Sequence, residues 1–319
     1  MGSTDAVRRD SMQRLTLVSV MREPLAVTLR FVAWHLAQGF DAIIIYFDDP
    51  DDPAIDLVQA TGRVTAVRCT PAFWESVGVP PGERFLRRQI VALTHGYRSV
   101  TEGWVAIADA DELFAGLGRS LPEILADQPA AVRSLRILPG EAIAVGGPRP
   151  PGRAHFRTPF TGGGLAEVYG DAAWFVKRNE GMVGHRQGKS ITRANTRLAR
   201  MRQHFPVRRG WVPLTDAVLG PGDGAVLLHF VSETYRSWRD KLEWRLNSSG
   251  FRPRIAERLR QLMRDSADPE DQLRALYDRL FVLDADRYER LRALGGAFDL
   301  PDDFAEPVGT YFPGVLTAV

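Results

Sequence analysis

The sequence of 319 residues lacks several features that would place a protein in a specialised class. It has a single cysteine, Cys69, which excludes a disulfide framework within the chain and suits a reducing compartment. It has no run of about 18 uncharged apolar residues, so we expect no membrane-spanning helix. Its 41 Lys and Arg nearly balance 39 Asp and Glu, which argues against a nucleic-acid-binding protein that depends on a large positive charge. With 45% hydrophobic and 25% charged residues, the composition predicts an ordinary globular protein of one large domain or two smaller ones.

The sequence also lacks the short motifs of several enzyme classes. It has no G-x-S-x-G, no Walker-type lysine loop, no G-x-G-x-x-G after a predicted strand, no H-E-x-x-H and no paired cysteines. The acidic residues that follow two of the predicted strands therefore remain as the candidates for a functional site.

The first residues of the chain, 1–14, are polar and charged. They lack the apolar segment of a secretion signal, and we expect them to form a flexible N-terminus. Because no membrane-spanning helix is expected either, the sequence indicates a cytoplasmic protein.

Short apolar, β-branched runs alternate with helical spacing over the first 140 residues. The predicted strands are 15–20, 42–47, 64–69, 104–108 and 132–138. Ser120 and Glu123 have the spacing of a capping box, which predicts a helix near 121–127. This order predicts an α/β fold with a mostly parallel sheet and flanking helices. Such sheets bind ligands at the carboxyl ends of their strands.

The remainder of the chain has a different character. Residues 139–164 contain seven Gly and five Pro, which predicts a loop, hairpin or lid at a boundary. Helical patterns prevail over 232–319, whose amphipathic helices either pack on the core or contact a membrane surface. We therefore expect a sheet-containing domain over 15–231 and a helical C-terminal region over 232–319.

Three carboxylates follow the apolar strand that begins at Trp104. Asp109, Asp111 and Glu112 repel one another unless they are solvated or share a cation. Hard oxygen ligands suit Mg²⁺ or Mn²⁺, which also bind substrate phosphates. The alternative is a solvated turn at the end of a strand, but a solvated turn has no need to lie between two apolar segments.

The order and spacing of several elements resemble a known family. In chain order they are Glu23 after the first strand, Trp34-His35-Leu36 with Gly39, the run 43–46 leading into Asp48-Asp49, Gln89 on a helix, and the segment 104–114. Together they resemble the GT-A glycosyltransferases of the family 2 type, in a subgroup close to the family 92 and DUF23-like enzymes. The resemblance covers about residues 15–115 well and 175–245 more loosely. The sequence departs from the pattern at Pro50 and in the small Ala108 and Ala110, and neither departure removes a carboxylate.

The resemblance implies a GT-A fold, a Rossmann-like nucleotide-diphospho-sugar transferase with a helical C-terminal extension. It also implies a metal-dependent transfer of a sugar from a nucleoside-diphosphate sugar, of the UDP type, to a hydroxyl of a glycan or glycolipid acceptor, as in bacterial-type polysaccharide or glycoconjugate assembly. The cation would neutralise the diphosphate of the donor as the leaving group.

The same resemblance implies a ligand set for Mn²⁺ or Mg²⁺. Asp109 would contact the ribose or a metal-bound water, and Asp111 would bind the ion directly. His229, at the end of a later apolar strand, would complete the set, with His185 as the alternative.

Further residues are candidates for binding the donor. Asp48 and Asp49 follow the second strand, where carboxylates accept well from a uracil N–H or ribose hydroxyls. Arg22 and Glu23 follow the first strand and could line the same pocket. Residues 177–210 carry ten Lys and Arg against one acid, and from this segment Lys189 or Arg193 is expected at the diphosphate. Gln89 is expected in the same site because it belongs to the family pattern.

An inverting transfer needs a general base at the acceptor hydroxyl. The candidates that the sequence offers are Glu112, Glu167, Asp171 and Glu180, with Glu180 preferred because it lies among basic residues. Whether the enzyme inverts or retains, which sugar it moves and how the chain associates are left open.

Two other classes of function remain alternatives. A nucleotidyltransferase or phosphohydrolase could use the same acidic metal site but would release pyrophosphate or phosphate. A non-catalytic sugar-binding relative could keep the fold, although it would have no physical reason to keep clustered like charges. Nucleic acid is not an expected partner, because aromatic residues are not interleaved with the basic ones.

Overall fold

The computed structural model of the chain describes residues 14–146, 152–160, 163–248 and 250–315. The predicted flexible N-terminus, 1–14, lies outside the described residues except for Arg14. The strands are β1 Leu15–Met21, β2 Ala42–Phe47, β3 Val64–Arg68, β4 Trp104–Ile107, β5 Glu112–Gly116, β6 Ser134–Ile137, β7 Pro139–Val145, β8 Arg153–Arg157, β9 Lys189–Arg193, β10 Arg200–Met201, β11 Pro206–Val207, β12 Ala217–Leu219, β13 Ala225–His229, β14 Val282–Leu283 and β15 Ala297–Pro301. The helices are α1 Leu25–Ala37, α2 Ala54–Gln59, α3 Pro71–Ser76, α4 Phe85–Ser99, α5 Leu121–Ala126, α6 Leu165–Tyr169, α7 Ala173–Val176, α8 Tyr235–Asp240, α9 Leu242–Asn247, α10 Pro253–Asp265, α11 Pro269–Phe281, α12 Ala285–Ala293 and α13 Glu306–Tyr311.

The described residues form two compact units, each made of separate stretches of chain. Unit 1 contains the residues up to Leu138, those from Gln187 to Leu227 and those from Asp303 onward. Unit 2 contains Pro139–Arg186 and Leu228–Asp302. The division expected from the sequence, at 231–232, differs from this one, because residues 139–186 belong with the helices of unit 2 and the last residues of the chain belong with unit 1.

Unit 1 is an α/β unit built on one sheet of seven strands, in the order β12-β6-β9-β4-β1-β2-β3. The α/β class predicted from the sequence is confirmed, but the expectation of a mostly parallel sheet is corrected to a mixed one. Strands β4, β1, β2 and β3 are parallel neighbours, whereas β9 runs antiparallel between β4 and β6. All seven residues of β1 are buried, as expected for a central strand with both faces covered.

Helix α4 packs very closely on the central strands of unit 1. A Cβ at Gly96 would lie 2.6 Å from a methyl group of Val18 and 3.0 Å from the ring of Tyr46. Only glycine permits this approach, and the contact fixes α4 along β1 and β2. The helix therefore carries its first turns to the carboxyl ends of these strands.

Unit 2 combines a small mixed set of strands with most of the C-terminal helices. Strand β8 pairs antiparallel with both β7 and β15, and β14 pairs parallel with β7. Segment 139–164, predicted to be a loop, hairpin or lid, contains the paired strands β7 and β8 where it is described, and Ile143 and Phe156 on these strands are buried. Apolar residues of α6–α12 pack around Trp238 and Leu280, both of which are fully buried.

Among the described residues, no helix combines the length and the apolar character needed to cross a bilayer.

Candidate functional site

Three acidic or charged segments follow neighbouring parallel strands of unit 1. Strand β1 lies between β2 and β4 and is parallel to both, so the chain leaves all three strands at one edge of the sheet. Two hydrogen bonds tie these ends together: the Asp48 amide donates to the Met21 carbonyl at 2.9 Å, and the Ser19 hydroxyl donates to the Ala108 carbonyl at 2.9 Å. The structure therefore places the segments after Met21, Phe47 and Ile107 side by side.

The acidic loop, Asp109–Glu112, folds as a tight turn between β4 and β5. The amide of Glu112 donates to the Asp109 carbonyl at 3.0 Å, and the amide of Asp109 donates to the Glu112 carboxylate at 2.8 Å. The Glu112 side chain is completely buried, whereas that of Asp109 is 36% exposed. Asp111 is only partly buried.

Lys189, the first residue of β9, lies beneath this loop. Its Nζ is 2.5 Å from an Asp109 carboxylate oxygen and 3.1 Å from Glu112 Oε2. Burial alone would lower the pKa of Lys189, but the two carboxylates outweigh burial and raise the pKa, so the side chain stays an ammonium. The antiparallel insertion of β9 beside β4 brings this cation under the acids. In the structure the charge of Lys189 is balanced by the carboxylates of the loop, and its expected contact with a diphosphate stays a prediction.

The second oxygen of Asp109 is also bound. Gln89 on α4 donates to it from Nε2 at 2.8 Å, and the amide oxygen of Gln89 accepts from Gln203 at 2.6 Å. His204, the residue after Gln203, donates from Nδ1 to the carbonyl of Gly188 at 3.0 Å. Gly188 is the residue before Lys189. Gln89 was predicted in the site, whereas Gln203 was missed, because no local pattern marks a residue between two short strands.

Helix α1 fixes the strand that follows the acidic loop. Trp34 donates from Nε1 to the Phe114 carbonyl at 2.7 Å, and His35 Nε2 accepts from the Phe114 amide at 3.1 Å. Burial lowers the pKa of His35 to about 3, which keeps the ring neutral and able to accept. These two residues of the sequence pattern thus hold the backbone of β5.

Asp48 is held by an arginine of α4, and its predicted contact with a nucleotide stays a prediction. Arg88 of α4 donates to both of its oxygens, from Nε at 3.0 Å and from Nη2 at 2.6 Å. Asp49 accepts from the Asp51 amide at 3.0 Å, which closes the turn after β2. Arg22 is exposed and Glu23 is half-buried at the adjacent strand end. Arg88 was missed because its partner is 40 residues away in the chain.

The remaining candidates lie in unit 2. His229 ends β13, is 7% exposed, and its ring lies 4.9 Å from that of His185. Glu180 has a left-handed backbone and pairs with Arg186 at 2.5 Å. The roles of His229 as a metal ligand and of Glu180 as a general base stay predictions. The other two acids considered as bases form exposed ion pairs within the same unit, Glu167 with Arg290 and Asp171 with Arg279.

The acids of the loop are suited to different tasks. Asp109 has an ammonium and an amide donor on its oxygens, which makes it a poor direct ligand for a dication, because the Lys189 charge would repel the ion. Glu112 is buried, accepts from the Asp109 amide and pairs with Lys189, so it positions the loop, and its role as a general base stays a prediction. Asp109 and Asp111 are both partly exposed, and Asp111 lies within the turn that the hydrogen bonds between Asp109 and Glu112 close.

No protein-family model matches the sequence, and a comparison with curated proteins finds no match.

Proposed function

We propose that the protein is a glycosyltransferase of the GT-A type that uses a nucleoside-diphosphate sugar and Mn²⁺ or Mg²⁺. The observation that carries the proposal is the acidic loop at the carboxyl end of β4, which Lys189 and Gln89 hold from within the unit while Asp111 stays partly exposed. A glycan or glycolipid hydroxyl is the acceptor in this proposal.

The residues fit a hard divalent cation. Carboxylate oxygens are the ligands that Mg²⁺ and Mn²⁺ prefer, and Asp111 is the residue that would hold the ion. When bound, such an ion supplies Lewis-acid stabilisation of the departing diphosphate.

The chain's own residues supply a rigid frame for this chemistry. Lys189, Gln89 and Glu112 fix the backbone of the loop, so Asp111 needs little rearrangement before it binds. The Arg88–Asp48 pair fixes the neighbouring loop after β2 in the same way. The general base is not assigned to Glu112, since that carboxylate is buried and engaged.

The test is a screen of UDP-, GDP- and CDP-sugars with Mn²⁺, in which the release of the nucleoside diphosphate is measured. We expect that Mn²⁺ and one of the nucleoside diphosphates, added together, raise the melting temperature of the protein more than either of them does alone. Asp111→Asn should lower donor hydrolysis at least about a hundredfold with an unchanged far-UV spectrum. Asp127→Asn, which alters an exposed acid that pairs with Arg119 elsewhere in unit 1, is the matched control.

Three outcomes would contradict the proposal. The first is full activity in Asp111→Asn, and the second is the absence of a stabilising nucleotide. The third is release of pyrophosphate or phosphate in place of a nucleoside diphosphate, which would favour a nucleotidyltransferase or phosphohydrolase.

A further inference from the structure

A groove with a strongly basic lining runs along the outer face of α4 in unit 1. It has a volume of about 920 Å³ and extends from the end of α3 to Arg200 of β10. Arg84, Arg87 and Arg98 of the α4 region line it together with Arg200. Glu83 is the carboxylate among the residues that line it.

The arginines of this groove are only partly compensated. Arg87 pairs with Glu83 at 2.8 Å, and Arg98 donates to the Ala199 carbonyl at 3.2 Å, which leaves its charge unbalanced. Within the part of the chain that the structure describes, neither Arg84 nor Arg200 has a carboxylate partner. Four guanidinium groups against one carboxylate form a surface that attracts an anionic ligand.

An exposed tryptophan, Trp211, lies next to Arg200, one of the residues that line the groove. Trp211 is 60% exposed, and the guanidinium of Arg200 lies 4.0 Å from the centre of its ring. Its backbone has a φ of +64°, a conformation that costs energy for a bulky residue. Hydrogen bonds from the Arg208 amide to the Val212 carbonyl at 2.8 Å and from the Trp211 amide to the Arg208 carbonyl at 3.1 Å hold the turn. The backbone of Trp211 is thus held in place, and its ring lies in solvent with Arg200 against it.

The chemistry of these groups fits an acidic saccharide. A sugar ring has an apolar C–H face that packs on an aromatic ring, and its carboxylate or sulfate accepts from guanidinium groups. Leu86, which is 42% exposed, adds an apolar surface to the groove. A single-stranded nucleic acid would need several stacking rings, whereas the residues that line the described groove include no Phe, Tyr or Trp, and Trp211 lies beside them.

The same helix connects the groove to the acidic loop. The outer face of α4 lines the groove, while Gln89 on its buried side donates to Asp109. Gln203, which bonds Gln89, follows Arg200 by three residues. A ligand in the groove therefore contacts elements that directly hold the candidate site.

We propose that this groove binds an acidic glycan chain, with the arginines on its anionic groups and Trp211 under one sugar ring. Binding of the glycan is independent of the proposed function. A role of the bound glycan as the acceptor of the transferred sugar rests on the proposed function.

The test measures binding without any donor, so its failure is distinct from a failure of donor hydrolysis. Calorimetry compares a galacturonic acid tetramer, a chondroitin sulfate tetramer and the neutral maltotetraose. We expect at least one acidic tetramer to bind, and maltotetraose to bind about tenfold more weakly or not at all. Binding of the galacturonic acid tetramer would show that carboxylates are sufficient, whereas binding of the chondroitin sulfate tetramer alone, which carries both carboxylates and sulfates, would show that sulfate groups are needed.

Two variants locate the binding to the groove. Arg200→Ala and Trp211→Asn should each weaken binding about tenfold, which corresponds to about 1.4 kcal/mol. Asn tolerates the left-handed backbone, so the second variant is expected to fold. The controls are Arg236→Ala and Trp244→Ala, which remove an arginine that is 92% exposed and a tryptophan that is 61% exposed in unit 2.

Several results would overturn the assignment. Equal binding of neutral and acidic tetramers, wild-type affinity in both groove variants, or no binding of either acidic tetramer would each do so. A single-stranded oligonucleotide and an anionic vesicle are tested in the same way. If one of them binds more tightly than the glycan and loses affinity in the same two variants, the groove is a site for that ligand and not for a glycan.

Discussion

Each unit buries a cation against a carboxylate, and the two clusters differ in how they are closed. In unit 2, Arg157 donates to Glu141 at 2.8 Å, and neither side chain has any exposed surface. Glu141 also accepts from the amides of Val183 and Gly184, and Arg157 donates to the Leu280 carbonyl at 2.6 Å. This cluster is sealed by the backbone of its own unit.

In unit 1, the ammonium of Lys189 is equally buried, but one of its partners reaches solvent. Asp109 is 36% exposed and lies at a strand end, two residues before another carboxylate. A buried cation next to a carboxylate therefore has a different role in each unit. A sealed cluster joins elements of the fold, whereas an open one holds a loop whose next carboxylate can meet a ligand.

The largest effect that we expect comes from the sealed cluster. Arg157→Met would leave Glu141 charged and buried without its cation, which should lower the free energy of unfolding by about 3–5 kcal/mol. Chemical denaturation measures this loss. Arg153 lies on the same strand as Arg157, is 61% exposed and pairs with Asp299 of β15 at 3.6 Å. Arg153→Ala should therefore lower the free energy of unfolding by less than about 1 kcal/mol. Similar losses in the two variants would show that the sealed pair contributes no more than an exposed one.

The second prediction concerns the open cluster. Lys189→Met should lower the free energy of unfolding by about 2–3 kcal/mol, less than Arg157→Met, because water can reach Asp109 and because the buried Glu112 keeps the hydrogen bond from the Asp109 amide. It should also abolish the rise in melting temperature with Mn²⁺ and nucleotide, since the acidic loop loses its support. Lys177→Met, at an exposed lysine of unit 2, should change neither quantity.

A double variant tests whether Lys189 acts through the loop acids. Glu112→Gln keeps an acceptor for the Asp109 amide but removes the buried charge, so it should recover part of the stability lost in Lys189→Met. Strict additivity of the two losses would show that these side chains are not coupled.

Much of unit 1 could be predicted from local patterns. The apolar runs at 15–20 and 42–47 correspond to β1 and β2, and the capping box of Ser120 and Glu123 is present at the start of α5. These features depend on neighbours within a few residues, so the sequence carries them directly. The acids at the ends of β2 and β4 were found for the same reason.

The direction of β9 and the make-up of the units were not predictable in this way. A five-residue strand has no local signal for its direction, which depends on which edge of the sheet it meets. The contacts that shape the site are also distant in the chain: Lys189 lies 80 residues from Asp109, and Gln203 lies 114 residues from Gln89. Periodicity cannot reveal such pairs.

The smallest change in the free energy of unfolding is expected at an ion pair that is open to solvent. This pair extends the comparison beyond the two buried clusters. Asp216 of unit 1 accepts from the Arg133 amide at 2.8 Å and from the Arg133 guanidinium at 3.1 Å. Burial would raise the pKa of Asp216, but the hydrogen bonds from Arg133 outweigh it and lower the pKa. Asp216→Asn should therefore cost about 1 kcal/mol at neutral pH.

The pH dependence gives the sign of this contribution. Because the pKa of Asp216 is lower in the folded state, its stabilisation is present above the unfolded pKa of about 3.9 and is lost as the pH falls through the folded value. The difference in unfolding free energy between wild type and Asp216→Asn should thus be constant above about pH 5 and shrink below about pH 4. Asp56→Asn, at an 89% exposed acid paired with Arg68, should show almost no difference at any pH. A difference for Asp216→Asn that persists in acid would mean that hydrogen-bond geometry, and not charge, holds this edge of the sheet.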